Sequence, residues 1–201
     1  MVDFFSSLKD STSRDPSSAN EREIRAIYDE TEIIVYQAFN DEIADWALNN
    51  GRFGGPYKFS RMTWIKPSFF WMMHRSGWAT KPGQQRILAI SIKRTFFDSL
   101  VNRGILTSNY NDDDIKWKES FANNDTRIQW DPERDVAGIK LKNVRAIQIG
   151  VSGASLIKMH EQAICSIQDI TQYAIDTRSR LLDTEIGVTL MPNERLYSIF
   201  C

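Results

Sequence analysis

Two short runs of β-branched, aliphatic and aromatic residues, Ile33–Phe39 (IIVYQAF) and Arg86–Ile92 (RILAISI), place the tightest constraint on what this chain can fold into. Both read as strands, because side chains stiff at χ1 pack well on a pleated surface and lose more freedom in a helix. Each is followed by a helical pattern. Asn40 or Asp41 caps a helix over Glu42–Asn49, with Ile43, Ala44, Ala47 and Leu48 on one face, and Asn50-Gly51 stops it. A second helix runs from about Thr95 to Asn102. Between the two strands, Met62–Ile65 reads as a short strand. Lys66-Pro67-Ser68 then opens a helix over Ser68–Arg75 that ends at Ser76-Gly77, since a first-turn proline sacrifices no helical hydrogen bond.

The later chain reads as an acidic turn at Asn111–Asp114, a short helix around Lys116–Phe121, and an edge strand Ile128–Trp130 stopped by Asp131-Pro132. Strands follow at Val144–Ile149 and Ala163–Ile167, with a helix Ala154–Glu161 between them and a last helix over Asp169–Leu182. Residues 1–20 are rich in Ser, Asp and Asn without a sustained period and read as a flexible tail, in which Phe4, Phe5 and Leu8 are able to pack. The expectation is one α+β domain over residues 21–201.

With 201 residues, 42% hydrophobic and 25% charged, the chain is long enough for one sizeable core. No apolar run approaches the roughly 18 residues of a membrane span, and the N-terminus lacks the apolar stretch of a secretory signal. Cysteine occurs twice, at Cys165 and Cys201, which argues against a disulfide framework. A soluble, cytoplasmic protein without a membrane partner is expected. His74 and His160 are the only histidines and lack ligand spacing, so no metal is expected.

The net charge of −1 conceals a strong asymmetry. Between Asp45 and Asp98 there is no acid, while nine Lys and Arg residues occur there, so the remainder carries −10. Concentrated charge of one sign favours an anionic ligand, against the plainer reading of a solvated basic face. The densest part is Arg61-Met62-Thr63-Trp64-Ile65-Lys66-Pro67-Ser68, continuing to Trp71, Arg75 and Trp78, at a strand-to-helix junction. Free N–H groups and the positive dipole end make a helix start a natural anion site. There Lys66 and Ser68 add a point charge and a hydroxyl, and Arg61 a bidentate fork. The tryptophans Trp64, Trp71 and Trp78 offer stacking faces or fill the core with Phe69, Phe70, Met72 and Met73. Arg52, Arg75, Trp78 and Lys81 are candidates for further phosphate or nucleic-acid contacts. Gln129-Trp130-Asp131-Pro132-Glu133-Arg134-Asp135 is either a salt-bridged turn or a loop lending Gln129 or Asp131 to a site. Glu161, before a strand, is a surface residue or an acid able to bind a ribose hydroxyl and stabilise charge on the sugar. No P-loop, dinucleotide glycine fingerprint, Gly-x-Ser-x-Gly elbow or ligase Lys-x-Asp-Gly is present.

The runs REIRAIYDETEIIVYQAFNDEIADWALNNGRF, RMTWIKPSFFWMMHRSGWATKPGQQRILAI and QWDPERD resemble a family of bacterial and fungal proteins classed as a domain of unknown function, number 4291. That likeness extends from about Glu21 to Thr171. More distantly, the order of strands and helices is similar to ADP-ribosyltransferases, including the branch that removes a tRNA 2′-phosphate with NAD. This second resemblance implies a split mixed sheet flanked by short helices, and NAD as cofactor. It implies that Tyr36 and Gln37 hold the nicotinamide ribose, that Arg61 and Lys66 meet the diphosphate, and that Trp64 stacks. It also implies that Glu161 stabilises the transition state beside Lys66. The expected function is an ADP-ribosyltransferase-like enzyme acting on nucleic acid or another phosphate-bearing acceptor. An RNA-binding or RNA-processing protein without NAD chemistry is the alternative.

Overall fold

A computed structural model describes residues 1–10, 22–108, 114–182 and 190–199. Strand β1 (Leu8–Asp10) and β2 (Arg25–Ala26) precede β3 (Glu32–Phe39) and helix α1 (Asp41–Asn50). Then come β4 (Thr63–Ile65), α2 (Phe69–Ser76), β5 (Arg86–Lys93), α3 (Arg94–Arg103) and β6 (Ile105–Leu106). The second half contains α4 (Asp114–Asn123), β7 (Thr126–Arg134), β8 (Lys140–Val151), α5 (Gly153–Lys158), β9 (Ile164–Asp169) and α6 (Thr171–Leu182). Short strands β10 (Leu190–Pro192) and β11 (Arg195–Leu196) close it.

The mixed α+β architecture expected from the sequence is present, with several sheets and six α-helices among the described residues. Strands β3 and β5 pair antiparallel from Glu32↔Lys93 to Phe39↔Arg86, and β9 adds to the other edge of β5. A second sheet has the order β4-β8-β7-β6. The two meet at a single bridge, where Tyr36 N–H donates to the Lys66 carbonyl (2.6 Å) and Lys66 N–H to the Tyr36 carbonyl (3.3 Å). Residues of both sheets line a cleft beside that bridge.

Strand β3 is apolar over Ile33–Val35 because both its faces are covered there. Ile33 and Val35 join a core with Ala44, Ala47, Phe97, Ile147 and Ile149. Ile34 and Tyr36 face the other way, into a core with Phe4, Phe69, Met73 and Ala174. That second core corrects the expected tail: Phe4 is completely buried, its ring 5.0 Å from Tyr173 and 6.1 Å from Tyr36, and β1 pairs with β10. On this face of β3 the N-terminal segment adds Phe4 to the cover that α2 and α6 provide. Residues 11–20 of that tail, and residues 111–113 of the acidic turn, lie outside the described residues.

Three boundaries differ from expectation. Strand β7 runs through Asp131-Pro132 rather than stopping there, because β6 covers it only at Arg127 and Ile128. At Pro132 one edge is free, so the missing N–H breaks no ladder on that side. Pro67 sits just outside α2, whose N-cap is Ser68, with its side chain accepting from Trp71 N–H (3.3 Å). The helix expected over Ala154–Glu161 is α5 followed by a π-helical turn, Met159–Ala163.

His160 in that turn is boxed by Phe53, Tyr57 and Phe59, with ring centroids 4.9 to 5.2 Å away, and neither ring nitrogen has a hydrogen-bond partner. Burial pushes its pKa from 6.5 to about 4. The neutral ring is the one the fold accepts, so stability is full above pH 6.5 and declines as pH falls toward 4. The loss is at most about 3 kcal/mol. Urea denaturation at pH 7 and pH 4.5 of the wild type and His160→Gln should show a smaller acid loss in the variant. Equal losses would place the acid sensitivity elsewhere.

Candidate functional site

The cleft at the seam between the sheets has a volume of about 520 Å³. Strand β3 contributes Gln37, on the side chain register of Val35 rather than Tyr36. Its Nε2 donates to Thr63 Oγ1 (2.5 Å) and to the Trp64 carbonyl (3.2 Å), while its buried Oε1 has no hydrogen-bond partner. Strands β7 and β8 place Gln129 directly opposite Gln148, with Asp131 two residues on. Gln129 Nε2 donates to Asp131 Oδ1 (2.8 Å), and Asp131 Oδ2 is buried without a hydrogen-bond partner.

Lys66 stands at the centre. Only 3% exposed, its ammonium lies 3.0 Å from the centre of the Trp71 ring, donates to Gln148 Oε1 and is 3.8 Å from Asp131 Oδ2. Burial draws its pKa well below the usual lysine value, and Arg75 pushes the same way, against the opposing pull of Asp131 and Glu133. Burial and Arg75 thus favour the neutral amine, while Asp131 and Glu133 favour the ammonium. Behind it, Ser68 Oγ donates to the buried Glu133 (2.9 Å), which ties the start of α2 to β7 and fixes the distance from Lys66 to Asp131.

Of the residues singled out from sequence, Gln37, Trp64, Lys66 and Arg75 line this cleft. Tyr36 does not: alternation along β3 turns it to the opposite face, fully buried against Phe69 (5.8 Å). Ser68 is a buried brace rather than a ligand contact. Trp78 packs on Phe69 (6.0 Å) and Phe70, so it belongs to the core. Arg52 and Arg61 are exposed on the stretch between α1 and β4, outside the cleft. Lys81 lies beside it, its Nζ donating to the Arg75 carbonyl (2.7 Å). Glu161 is exposed on the π-helical turn and is not among the cleft residues, so the acid of this site is not Glu161.

Gln129 and Asp131 do reach the site, from a strand rather than a loop. Gln148 was missed, and Thr63, inside the basic run singled out from sequence, was given no role. The available signal was an amide in the apolar strand VRAIQIG, matching the Gln in IIVYQAF; a buried amide needs a partner or a ligand. Gly150 forms the floor under Trp64: a Cβ there would lie 2.7 Å from Met62 Sδ and 3.0 Å from the Trp64 ring. Gly150→Ala is expected to cost about 1–3 kcal/mol by overpacking and to tilt Trp64. A lowered Tm with altered tryptophan fluorescence would show it; an unchanged spectrum would mean the ring is not held by this contact.

Fold and site together define an α+β protein with a polar cleft at the seam of two sheets, centred on a buried lysine. Residues 23–197 match the family described as Domain of unknown function (DUF4291), and the chain belongs to that family. No curated protein matches the chain. Among the described residues, no helix is long and apolar enough to cross a membrane, and no group of three or more His, Cys, Asp or Glu is placed to hold a metal.

Proposed function

We propose that the seam cleft binds NAD and that the protein is an ADP-ribosyltransferase-like enzyme acting on a nucleic-acid or other phosphate-bearing acceptor. The observation that carries this reading is the convergence of Gln37, Gln129, Gln148, Lys66 and Asp131 with two indoles in one cleft. The two sheets joined by a single bridge agree with the split sheet of that enzyme class. The residues also fit the group: Gln37 Oε1 is a buried acceptor without a partner, suited to a carboxamide N–H, and Trp64 and Trp71 offer faces for a ring.

Bound NAD supplies a ribosyl carbon that gains positive charge as nicotinamide departs. Asp131, which lines the cleft and whose buried Oδ2 has no hydrogen-bond partner, takes the charge-stabilising role expected of Glu161. Arg75 at the mouth meets phosphate, the part expected of Arg61. Lys66 positions the Asp131 carboxylate and, with its amine drawn toward the neutral form by burial, accepts the proton of an acceptor hydroxyl.

Titration calorimetry with NAD, alongside release of free nicotinamide, tests the reading. Binding that Gln37→Ala weakens is expected. A protein that ignores NAD yet binds RNA in a salt-sensitive way would instead select the RNA-binding alternative, which the basic surface beside the cleft favours.

A further inference from the structure

The turn joining β7 to β8 folds against the end of α2 and assembles positive charge that sequence distance conceals. Arg134 and Lys140 are directly opposite each other in the β7–β8 ladder, a like-charge pairing that weakens a hairpin. The turn between them reaches α2, where the Cα of Gly138 faces His74 closely enough that a Cβ would lie 3.7 Å from Nδ1. Arg75 follows His74 and lines the cleft, and Lys81 is tied to the Arg75 carbonyl. The His74 pKa is lowered from its usual value by partial burial, then by the fields of Arg134, Lys81 and Lys140, in keeping with the contact between the turn and α2.

None of Arg75, Lys81, Arg134 and Lys140 forms an ion pair among the described residues. Arg134 Nη1 donates to the Gly138 carbonyl (3.0 Å), but its buried Nε–H has no acceptor. The nearby acids are committed elsewhere. Asp135 accepts from Ala137 N–H (3.0 Å) and Ile139 N–H (2.8 Å) to close the turn, and Glu133 is buried on Ser68. Cations gathered on one surface with no ion pair among the described residues suit an anion with repeated charges.

We infer that this surface, Arg75, Lys81, Arg134 and Lys140 around His74, is the docking track for the phosphate backbone of a single-stranded nucleic acid whose terminal or looped-out nucleotide enters the seam cleft. The strand is single because a nucleotide held in a duplex stack does not reach Lys66 and Asp131, which line a cleft of about 520 Å³. The inference rests on the proposed function for what happens in the cleft, but the binding it describes does not require NAD.

Fluorescence anisotropy of a labelled single-stranded RNA of ~12 nucleotides, at ~50 to 200 mM salt, reads it directly. The affinity should fall steeply with salt, by about 0.7 log units per log unit of salt for each phosphate neutralised. Lys81→Glu with Lys140→Glu, both exposed side chains, should weaken binding at least about tenfold and flatten the salt slope by about 1 to 2, with Tm and NAD affinity kept. Arg134→Gln, tested separately, should lower affinity without changing the fold. Binding unchanged in the charge-reversed protein overturns the inference. So does equal binding of duplex RNA or of a poly-glutamate peptide, the first denying the unstacked nucleotide and the second any preference for nucleic acid. RNA binding of this form in a protein that does not bind NAD would keep the track and remove the transferase reading. NAD binding with no RNA binding would do the reverse.

Discussion

Asp131→Asn is expected to slow nicotinamide release from NAD by about 100-fold or more while leaving NAD affinity within a few-fold of wild type. The substitution keeps the shape and an oxygen for Gln129 Nε2 but removes the charge whose Oδ2 has no hydrogen-bond donor in the folded protein. Loss of one preorganised group that meets developing charge costs on the order of 10²–10³ in rate. Lys66, 3.8 Å away, retains Gln148 and the Trp71 ring, so the cleft does not collapse. Glu161→Ala, on the exposed turn, should leave the rate unchanged. Steady-state kinetics on both variants separates the two acids: equal rates for Asp131→Asn and wild type would remove Asp131 from the chemistry.

The largest effect on stability is expected from Phe4→Ala, at about 3–5 kcal/mol, the range for truncating a buried aromatic ring. In a chain of this size that lowers Tm by roughly 10 °C. Phe4 contacts Phe5, Tyr36, Phe69 and Tyr173, and its N–H donates to Gln168 Oε1 (2.9 Å), so the cavity would open at the meeting of β3, α2, α6 and β9. Calorimetry on the full chain checks it. A Tm within a degree or two of wild type would mean that the N-terminal segment is a loose cover rather than part of the core.

What was legible in the sequence was local. The β-branched runs at Ile33 and Arg86 announced β3 and β5, Asn40 and Gly51 marked the ends of α1, and Ser76-Gly77 marked the end of α2. Capping, χ1 restriction and glycine's left-handed φ act over a few residues, so a short window carries them. The lysine at the strand-to-helix junction was equally visible, since a charge set in apolar sequence has to find a partner. Its partners were not. Gln148 is 82 residues from Lys66, and only the pairing of β4 with β8 brings the two together.

The same distinction explains the residues misplaced. Tyr36 and Gln37 are adjacent in sequence, and period-2 alternation sends one to the core and the other to the cleft. Arg61 and Glu161 had suitable chemistry, but both are exposed and neither is among the residues that line the cleft. By itself the sequence determined the longer central elements such as β3, β5, α1 and α2, the basic span and a lysine at a strand-to-helix junction, because those depend on short-range sterics and composition. Tertiary structure alone decided which carboxylate faces Lys66, that Phe4 belongs to the core, and that Arg134 and Lys140 share a surface with Arg75. Each of those depends on how two separately folded sheets and a hairpin meet, and the free energy of that meeting is spread over the whole chain.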